Sequence, residues 1–378
     1  MQKKLEPVIH CPSTEGIKYA GSKLKLLPQI LTLIEKLRPR TIFDAFSGTT
    51  RVSQALAQCG YSVRAGDVSA WSEVFGQCYL INCQPKKYFE PMIEHLNNLP
   101  PRDGWFTEHY GGNENGGSAI GPDELKKPLQ KHNTRKIDAV REEIDRLGLP
   151  FEERCVLLTS LIYAVDSVDS TLGHQVSYLS RWSPRSYKTM RLECPQLIAR
   201  QEGQNHTVNR ADVFELLPKI EADLAYFDPP YGSNNEKMPP SRVRYASYYH
   251  LWTTICRNDR PELFGKAQRR ADSSDTIAGS IFEEFRRDEN GRLIVVEAIR
   301  KMLTEVKARH VILSYNSNGK ATAAELHEVI SSAGQLLEVV EIDYKKNVMA
   351  EMRWTHEWVK EAEQSNREFL FLLEKSPQ

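Results

Sequence analysis

Apolar and polar positions alternate in blocks that predict a repeated strand–helix order near both ends of the chain. Residues 40–46 (RTIFDAF) are apolar enough for a buried strand and run into the turn Ser47-Gly48-Thr49. Val52, Ala55, Leu56 and Cys59 then fall at helical spacing, which predicts a helix over 50–59 that Gly60 stops. Residues 61–65 predict a second strand, ending at Gly66-Asp67. A strand, a helix and a strand of these lengths make a Rossmann-type unit with parallel strands and a right-handed crossover.

After a helix expected from about Ala70 the pattern changes. Residues 103–121 are rich in Gly, Asn and aromatics and predict a loop. Two helical patterns follow, over 123–147 and 151–165, and then an irregular stretch to about 202. Strand–helix alternation resumes with a strand at 206–209, a helix at 211–220 and a strand at 222–227 that ends in Asp228-Pro229-Pro230-Tyr231. The charged tract 257–288 predicts irregular, mobile chain. Beyond it come a helix at 292–307, a strand at 310–314, a helix at 321–333 and two β-patterned runs, 336–344 and 368–373, expected as an antiparallel hairpin at the sheet edge. The expectation is an α/β fold whose catalytic domain, residues 1–74 and 204–378, is interrupted by a mainly helical insertion, residues 75–203.

Composition narrows the class. The chain has 378 residues, enough for two units, and its 40% hydrophobic and 26% charged residues suit a soluble globular protein. The N-terminal stretch lacks an apolar core and no apolar run is long enough for a membrane span, so a cytoplasmic protein without membrane attachment is expected. Seven cysteines lie singly with no CxxC pair, which argues against a disulfide framework or a metal site. Fifty basic residues balance fifty acidic ones, so any nucleic-acid contact must come from the distribution of charge rather than its sum.

The Asp228-Pro229-Pro230-Tyr231 segment carries the chemistry. It follows an apolar strand, and ligands of open α/β sheets bind at the carboxyl ends of strands. The prolines fix the turn and offer no competing N–H, so the Asp228 carboxylate and the Pro229 carbonyl can converge on one point. Two such acceptors suit an aromatic exocyclic amine: they hold both N–H bonds and pull the nitrogen toward tetrahedral geometry, so that its lone pair meets an electrophilic methyl. Asp228 can then take the leaving proton, and Tyr231 offers a flat face for an extruded base. The loop of Asp44, Phe46 and Gly48 supplies a tight turn at which backbone can approach a ligand, and Asp67 sits where Rossmann-like sites bind ribose hydroxyls.

These motifs, in this order, resemble the Dam-like adenine-N6 DNA methyltransferases, in which the cofactor motif precedes the target-recognition insertion and DPPY follows it. The likeness covers residues 16–255 and 292–320, and is looser across the insertion. It implies a class I methyltransferase sheet, S-adenosyl-L-methionine as methyl donor and double-stranded DNA as the substrate, with the target base flipped out. Gly16 to Lys23 resembles the family's N-terminal motif, with Tyr19 in place of the commoner Trp, and this implies that Tyr19 and Lys23 line the cofactor pocket near the methionine end. Asp44-x-Phe46-x-Gly48 resembles the first cofactor motif, with Thr49 where the family has a second Gly. Asp212 matches the position that receives the cofactor adenine amine, and residues 310–316 resemble a late strand ending in Ser-Tyr-Asn near the active site.

On the DNA side, residues 173–182 mix stacking and phosphate-binding types, and Arg181, Arg185 and Lys188 are the candidate contacts. Tyr245 and Tyr248 resemble a Tyr-rich stretch after DPPY that closes over the flipped base or enters the duplex. Arg257, Arg260, Lys266, Arg269 and Arg270 are further candidates for tracking the backbone. Methylation of cytosine N4 or of RNA adenine stays as the alternative, and a cognate restriction endonuclease as a partner is left open.

Overall fold

The computed structural model describes residues 11–113, 124–176, 178–231, 245–284, 286–317, 319–344 and 366–376. A seven-stranded sheet forms from β1 (Thr41–Asp44), β2 (Ser62–Asp67), β3 (Thr207–Arg210), β4 (Glu221–Phe227), β5 (Lys307–Asn316), β6 (Gly334–Tyr344) and β7 (Asn366–Lys375), in the spatial order β6-β7-β5-β4-β1-β2-β3. The five strands from β3 to β5 are parallel; β7 runs antiparallel to both β5 and β6. The order reverses between β1 and β4, which opens a crevice at their carboxyl ends.

Strand periodicity of two divides the core. Ile42, Leu224, Ile312 and Leu370 face one side and pack with Leu27, Ile30 and Ile34 of α1 (Leu27–Leu37) and Ala55 and Leu56 of α2 (Arg51–Gln58). Phe43, Ala225, Val311 and Leu313 face the other and pack under the C-terminal helices α9 (Ile294–Glu305) and α10 (Ala323–Ala333). Gly66 keeps β2 close to its neighbours: a Cβ there would lie 2.6 Å from Leu216 Cδ1.

The expected Rossmann-like class I methyltransferase sheet is present, and the terminal pair is antiparallel as the pattern suggests. It lies at the sheet edge as expected, with β6 outermost and β7 between it and β5.

The helical part contains α3 (Ala70–Gly76), α4 (Lys86–Asn98), α5 (Trp105–Tyr110), α6 (Lys131–Arg146) and α7 (Phe151–Val168), and α8 (His250–Arg257) follows the DPPY segment. Its core joins Trp71 and Phe75 of α3 to Leu157 and Leu161 of α7 and to Trp252 and Ile255 of α8, so apolar contact extends past both ends of residues 75–203. Three expectations are corrected here. The loop expected over 103–121 contains α5, because Asp138 of α6 accepts hydrogen bonds from the Phe106 and Thr107 amides, both at 2.9 Å, and caps it from a distance; residues 114–121 lie outside the described residues. The helix expected over 211–220 is a single turn, Val213–Leu216. The tract 257–288 is irregular but anchored: buried Arg270 pairs with Asp259 at 2.6 Å and with Asp272 at 2.8 Å. Among the described residues no helix is long and apolar enough to cross a membrane.

Candidate active site

A cavity of about 480 Å³ opens at the carboxyl ends of β1, β2 and β4. Tyr19, Lys23, Asp44, Phe46, Gly48, Asp67, Asp212, Asp228 and Tyr245 line it, so the residues expected around the cofactor come together. The local reasons are readable. Asp44 ends β1 beside Tyr226 of β4, two residues before Asp228. The chain then turns through Gly48, whose φ of +46° suits glycine. A Cβ at Gly48 would also stand 3.3 Å from the Tyr19 hydroxyl.

Four of the carboxylates that line this space are in different states. Asp44 is 1% exposed; its Oδ2 accepts from the Ser53 hydroxyl at 2.6 Å, while its Oδ1 is buried without a partner. Burial, opposed by the Ser53 hydrogen bond and reinforced by the charges of Asp228 and Asp67, pushes its pKa up to about 7. Asp67 accepts the Gly48 amide at 2.9 Å and the Ser69 amide at 2.8 Å, bracing the glycine turn and the start of α3 together. Burial raises its pKa against those hydrogen bonds. Asp212 caps its short helix by accepting from the Phe214 amide at 2.9 Å. Asp228 has its pKa pushed up to about 6 by burial and by Glu368, against the pull of Lys23.

All the hydrogen bonds to Asp228 among the described residues end on Oδ1. Lys23 Nζ lies 2.9 Å from it and the Tyr231 hydroxyl 2.5 Å. Lys23 Nζ also lies 2.9 Å from Glu368 Oε1, which is 2.7 Å from the Tyr231 hydroxyl. Lys23 donates to the Tyr231 hydroxyl as well. Burial opposes the Lys23 charge, but Asp228 and Glu368 outweigh it and hold the ammonium protonated above its usual range. Burial likewise keeps the Tyr231 phenol protonated. Sequence reasoning missed Glu368. The only signal was a carboxylate opening the apolar run of β7, opposite Asn316 in the register.

Tyr231, expected to offer a base-stacking face, is half-buried. Its ring packs edge-on to Tyr315, with centroids 5.1 Å apart, and Lys23 Nζ sits 4.8 Å from its centre. Pro229 is buried, and neither it nor Tyr231 lines the cavity, whereas Pro230 does. The aromatic surface beside the cavity comes instead from Tyr19, which stacks on Tyr249 at 4.9 Å and lies 5.3 Å from Tyr245. On the opposite wall Phe46 meets Phe282 edge-on at 5.3 Å.

The residues expected to meet DNA separate. Arg181 and Lys188 are exposed. Arg185 is committed to protein: it donates to Asp169 Oδ1 and to the Asp169 carbonyl, both at 2.6 Å, and to the Thr171 carbonyl at 2.9 Å. Tyr248 stacks on His174 at 4.1 Å. Arg270, a candidate for tracking DNA, is instead the buried anchor of its own tract; Arg257 pairs with Asp272 and Arg260 with Glu142. Acidic neighbours explain the difference, since these cations are already neutralised. Among the described residues no group of three or more His, Cys, Asp or Glu could hold a metal ion.

Comparison with known proteins agrees with this architecture. The chain is 28% identical over 352 residues to modification methylase StsI of Streptococcus sanguinis, covering 87% of this chain but 48% of that protein, so it spans about half of that relative's length. It is 26% identical over 339 residues to type II methyltransferase M.NlaIII of Neisseria lactamica, covering 87% of this chain and 92% of the other. It is 23% identical over 385 residues to type II methyltransferase M2.HphI of Haemophilus parahaemolyticus, covering 96% and 98%. The model of one family matches residues 19–284, most of the chain and every cavity-lining residue named above, and with it the resemblance seen in the motifs holds: the chain belongs to the D12 class N6 adenine-specific DNA methyltransferases, enzymes that need a methyl donor.

Proposed function

We propose that the protein transfers a methyl group from S-adenosyl-L-methionine to the N6 amine of adenine in double-stranded DNA. The observation that carries this reading is the state of Asp228: one carboxylate oxygen is clamped by Lys23 and Tyr231, and the other is left for a ligand donor at the cavity. The cavity suits the donor proposed. Its carboxylates seek hydrogen-bond donors and positive charge, and the unpartnered Oδ1 of Asp44 is a buried acceptor. S-adenosyl-L-methionine offers an ammonium, a ribose diol, an adenine amine and a sulfonium. Asp44 and Asp67 would hold its ammonium and ribose, Asp212 its adenine amine, and Tyr19, Phe46 and Gly48 would shape the walls.

When bound, the donor supplies an activated methyl on a positively charged sulfur. The protein does the rest. Asp228 would accept an N6 hydrogen of a flipped adenine and turn its lone pair toward the methyl; the Pro229 carbonyl, expected to accept the other, belongs to a buried residue that does not line this cavity. With the methyl on nitrogen and a thioether left on the donor, the extra proton would pass from that nitrogen to Asp228. Tyr245 and Tyr248 flank the base, and Arg181, Arg185 and Lys188 of the insertion at 75–203 position the duplex, Arg185 through the backbone it holds. The relatives' names mark modification and type II methylases, which supports a cognate restriction endonuclease as the functional partner.

Tritium transfer from labelled S-adenosyl-L-methionine to duplex DNA, followed by nucleoside analysis, tests the reading. Label is expected on N6-methyladenine and is expected to fall by at least about 100-fold in Asp228→Ala, the scale on which a misplaced reacting group loses rate. Label on cytosine N4, or label undiminished by the substitution, overturns it.

A further inference from the structure

Glu368 comes from β7, beyond the residues that match the family model, yet its side chain reaches the DPPY cluster. It is 4% exposed. Its Oε1 faces Lys23 Nζ at 2.9 Å, the Tyr231 hydroxyl at 2.7 Å and the Ser314 hydroxyl at 2.9 Å, and its Oε2 accepts from the Asn316 amide at 3.0 Å. Ser314 and Asn316 end β5, so the sheet itself holds this carboxylate in place. A carboxylate so deep in a protein is held only by specific donors, and here all of them are present.

We infer that Glu368 is a positioning residue for methyl transfer: it anchors the Lys23 ammonium and the Tyr231 phenol so that together they hold one oxygen of Asp228 and leave the other turned to the target amine. The inference rests on the reading of Asp228 given above. Lys23 donates to both carboxylates, and the one O–H of Tyr231 lies within reach of both and donates to one at a time. Were Asp228 their sole acceptor, Lys23 would follow it and compete with the incoming amine. With Glu368 as a second acceptor, Lys23 keeps its place when Asp228 turns to substrate. The cluster of two carboxylates and one ammonium also carries net negative charge, which keeps Asp228 a better proton acceptor than an ordinary ion-paired aspartate. The other groups facing Asp228 are Asp44, which adds to that negative field, and the phenols of Tyr19, Tyr226 and Tyr245, held protonated by burial.

Glu368→Gln tests this with two readouts. The first is the titration of the Asp228 carboxyl, followed by 13C NMR in the protein alone. Glu368 raises the Asp228 pKa, so removing its charge lowers the midpoint from about 6. The second is single-turnover methylation at pH 8, where kcat is expected to fall by about 10-fold or more while the KM values for donor and DNA stay near wild type, the mark of lost alignment rather than lost binding. An Asp228 midpoint that does not move, or kcat within about twofold of wild type, overturns the inference. Should Glu368→Gln not fold, the double variant Ser314→Ala, Asn316→Ala keeps every charge and loosens only the holders of Glu368; reduced kcat supports positioning, and unchanged kcat overturns it. Wild-type protein that leaves adenine unlabelled defeats the proposed function instead, and the Asp228 titration still reads the cluster.

Discussion

Asp44 shows how the burial of a single residue sets a pH dependence for the fold. Its carboxylate is buried with one oxygen unpartnered, and its pKa is pushed from 3.8 up to about 7. A carboxyl raised on folding favours the folded state fully below its unfolded pKa, and that advantage is lost as pH climbs through the folded one. Wild-type protein is therefore expected to lose stability between pH 4 and pH 7 at this site. Asp44→Asn, which keeps the acceptor for Ser53 but cannot ionise, escapes the loss. Its melting temperature relative to wild type should rise from pH 5 to pH 8, reflecting on the order of 2–4 kcal/mol if the whole shift is expressed. Scanning fluorimetry of both proteins without ligand checks this, and a difference constant with pH would rule it out. Most of these site residues were legible in the chain because each ends a strand or opens a turn: Asp44, Gly48, Asp67 and Asp228 all sit where apolar pattern gives way to a polar or glycine position. Glu368 was not, since nothing local distinguishes it from an ordinary strand-end charge; its meaning depends on β7 entering beside β5.

At the scale of elements, legibility follows how local the stabilising contacts are. Strands β1, β2 and β4 are apolar runs that need no partner to be recognised. Helix α5 is six residues long, and its cap is supplied by Asp138, 32 residues from Phe106, so no window of sequence around it contains the cause. The tract 257–288 hides a similar long-range device. Its charge run reads as solvated chain, but Arg270 is 2% exposed and gathers Asp259 and Asp272. The chain that follows, Ile277 to Glu283, forms a wall of the cavity, with Phe282 against Phe46. Among the described residues, Arg270→Met is expected to leave Asp259 without its cation and Asp272 with Arg257 alone. Breaking a fully buried pair costs about 3–5 kcal/mol; because Asp259 and Asp272 are partly exposed here, about 2 kcal/mol is expected. Thermal unfolding measures that loss, and calorimetric titration with S-adenosyl-L-methionine should show weaker binding as the wall loosens. Wild-type donor affinity in a destabilised variant would mean that the tract supports the fold but not the cavity.

For the whole molecule, a net charge of zero leaves DNA affinity to the arrangement of charge. Much of the positive charge is spent on ion pairs within the chain, such as Arg185–Asp169, Arg270–Asp259 and Arg210–Glu73. Arg181 and Lys188 are exposed on the irregular stretch that leads from α7 back to the sheet, and residue type alone could not separate them from Arg185. Phosphate contacts release counterions, so log Kd depends linearly on log salt, with a slope near 0.9 for each phosphate neutralised on duplex DNA. Arg181→Ala and Lys188→Ala are each expected to reduce that slope by about 1 and to weaken binding to all sequences alike. Arg185→Ala should behave otherwise: it leaves the buried Asp169 carboxylate with Lys18 as its one cation among the described residues and frees the Thr171 carbonyl, so melting temperature falls first and the slope changes little. Fluorescence anisotropy on a labelled duplex across a salt series, set beside melting curves of the three variants, separates the two kinds of arginine. Equal slopes in wild type, Arg181→Ala and Lys188→Ala would remove this surface from the DNA path and leave target recognition to the face of the insertion nearer α5 and α6.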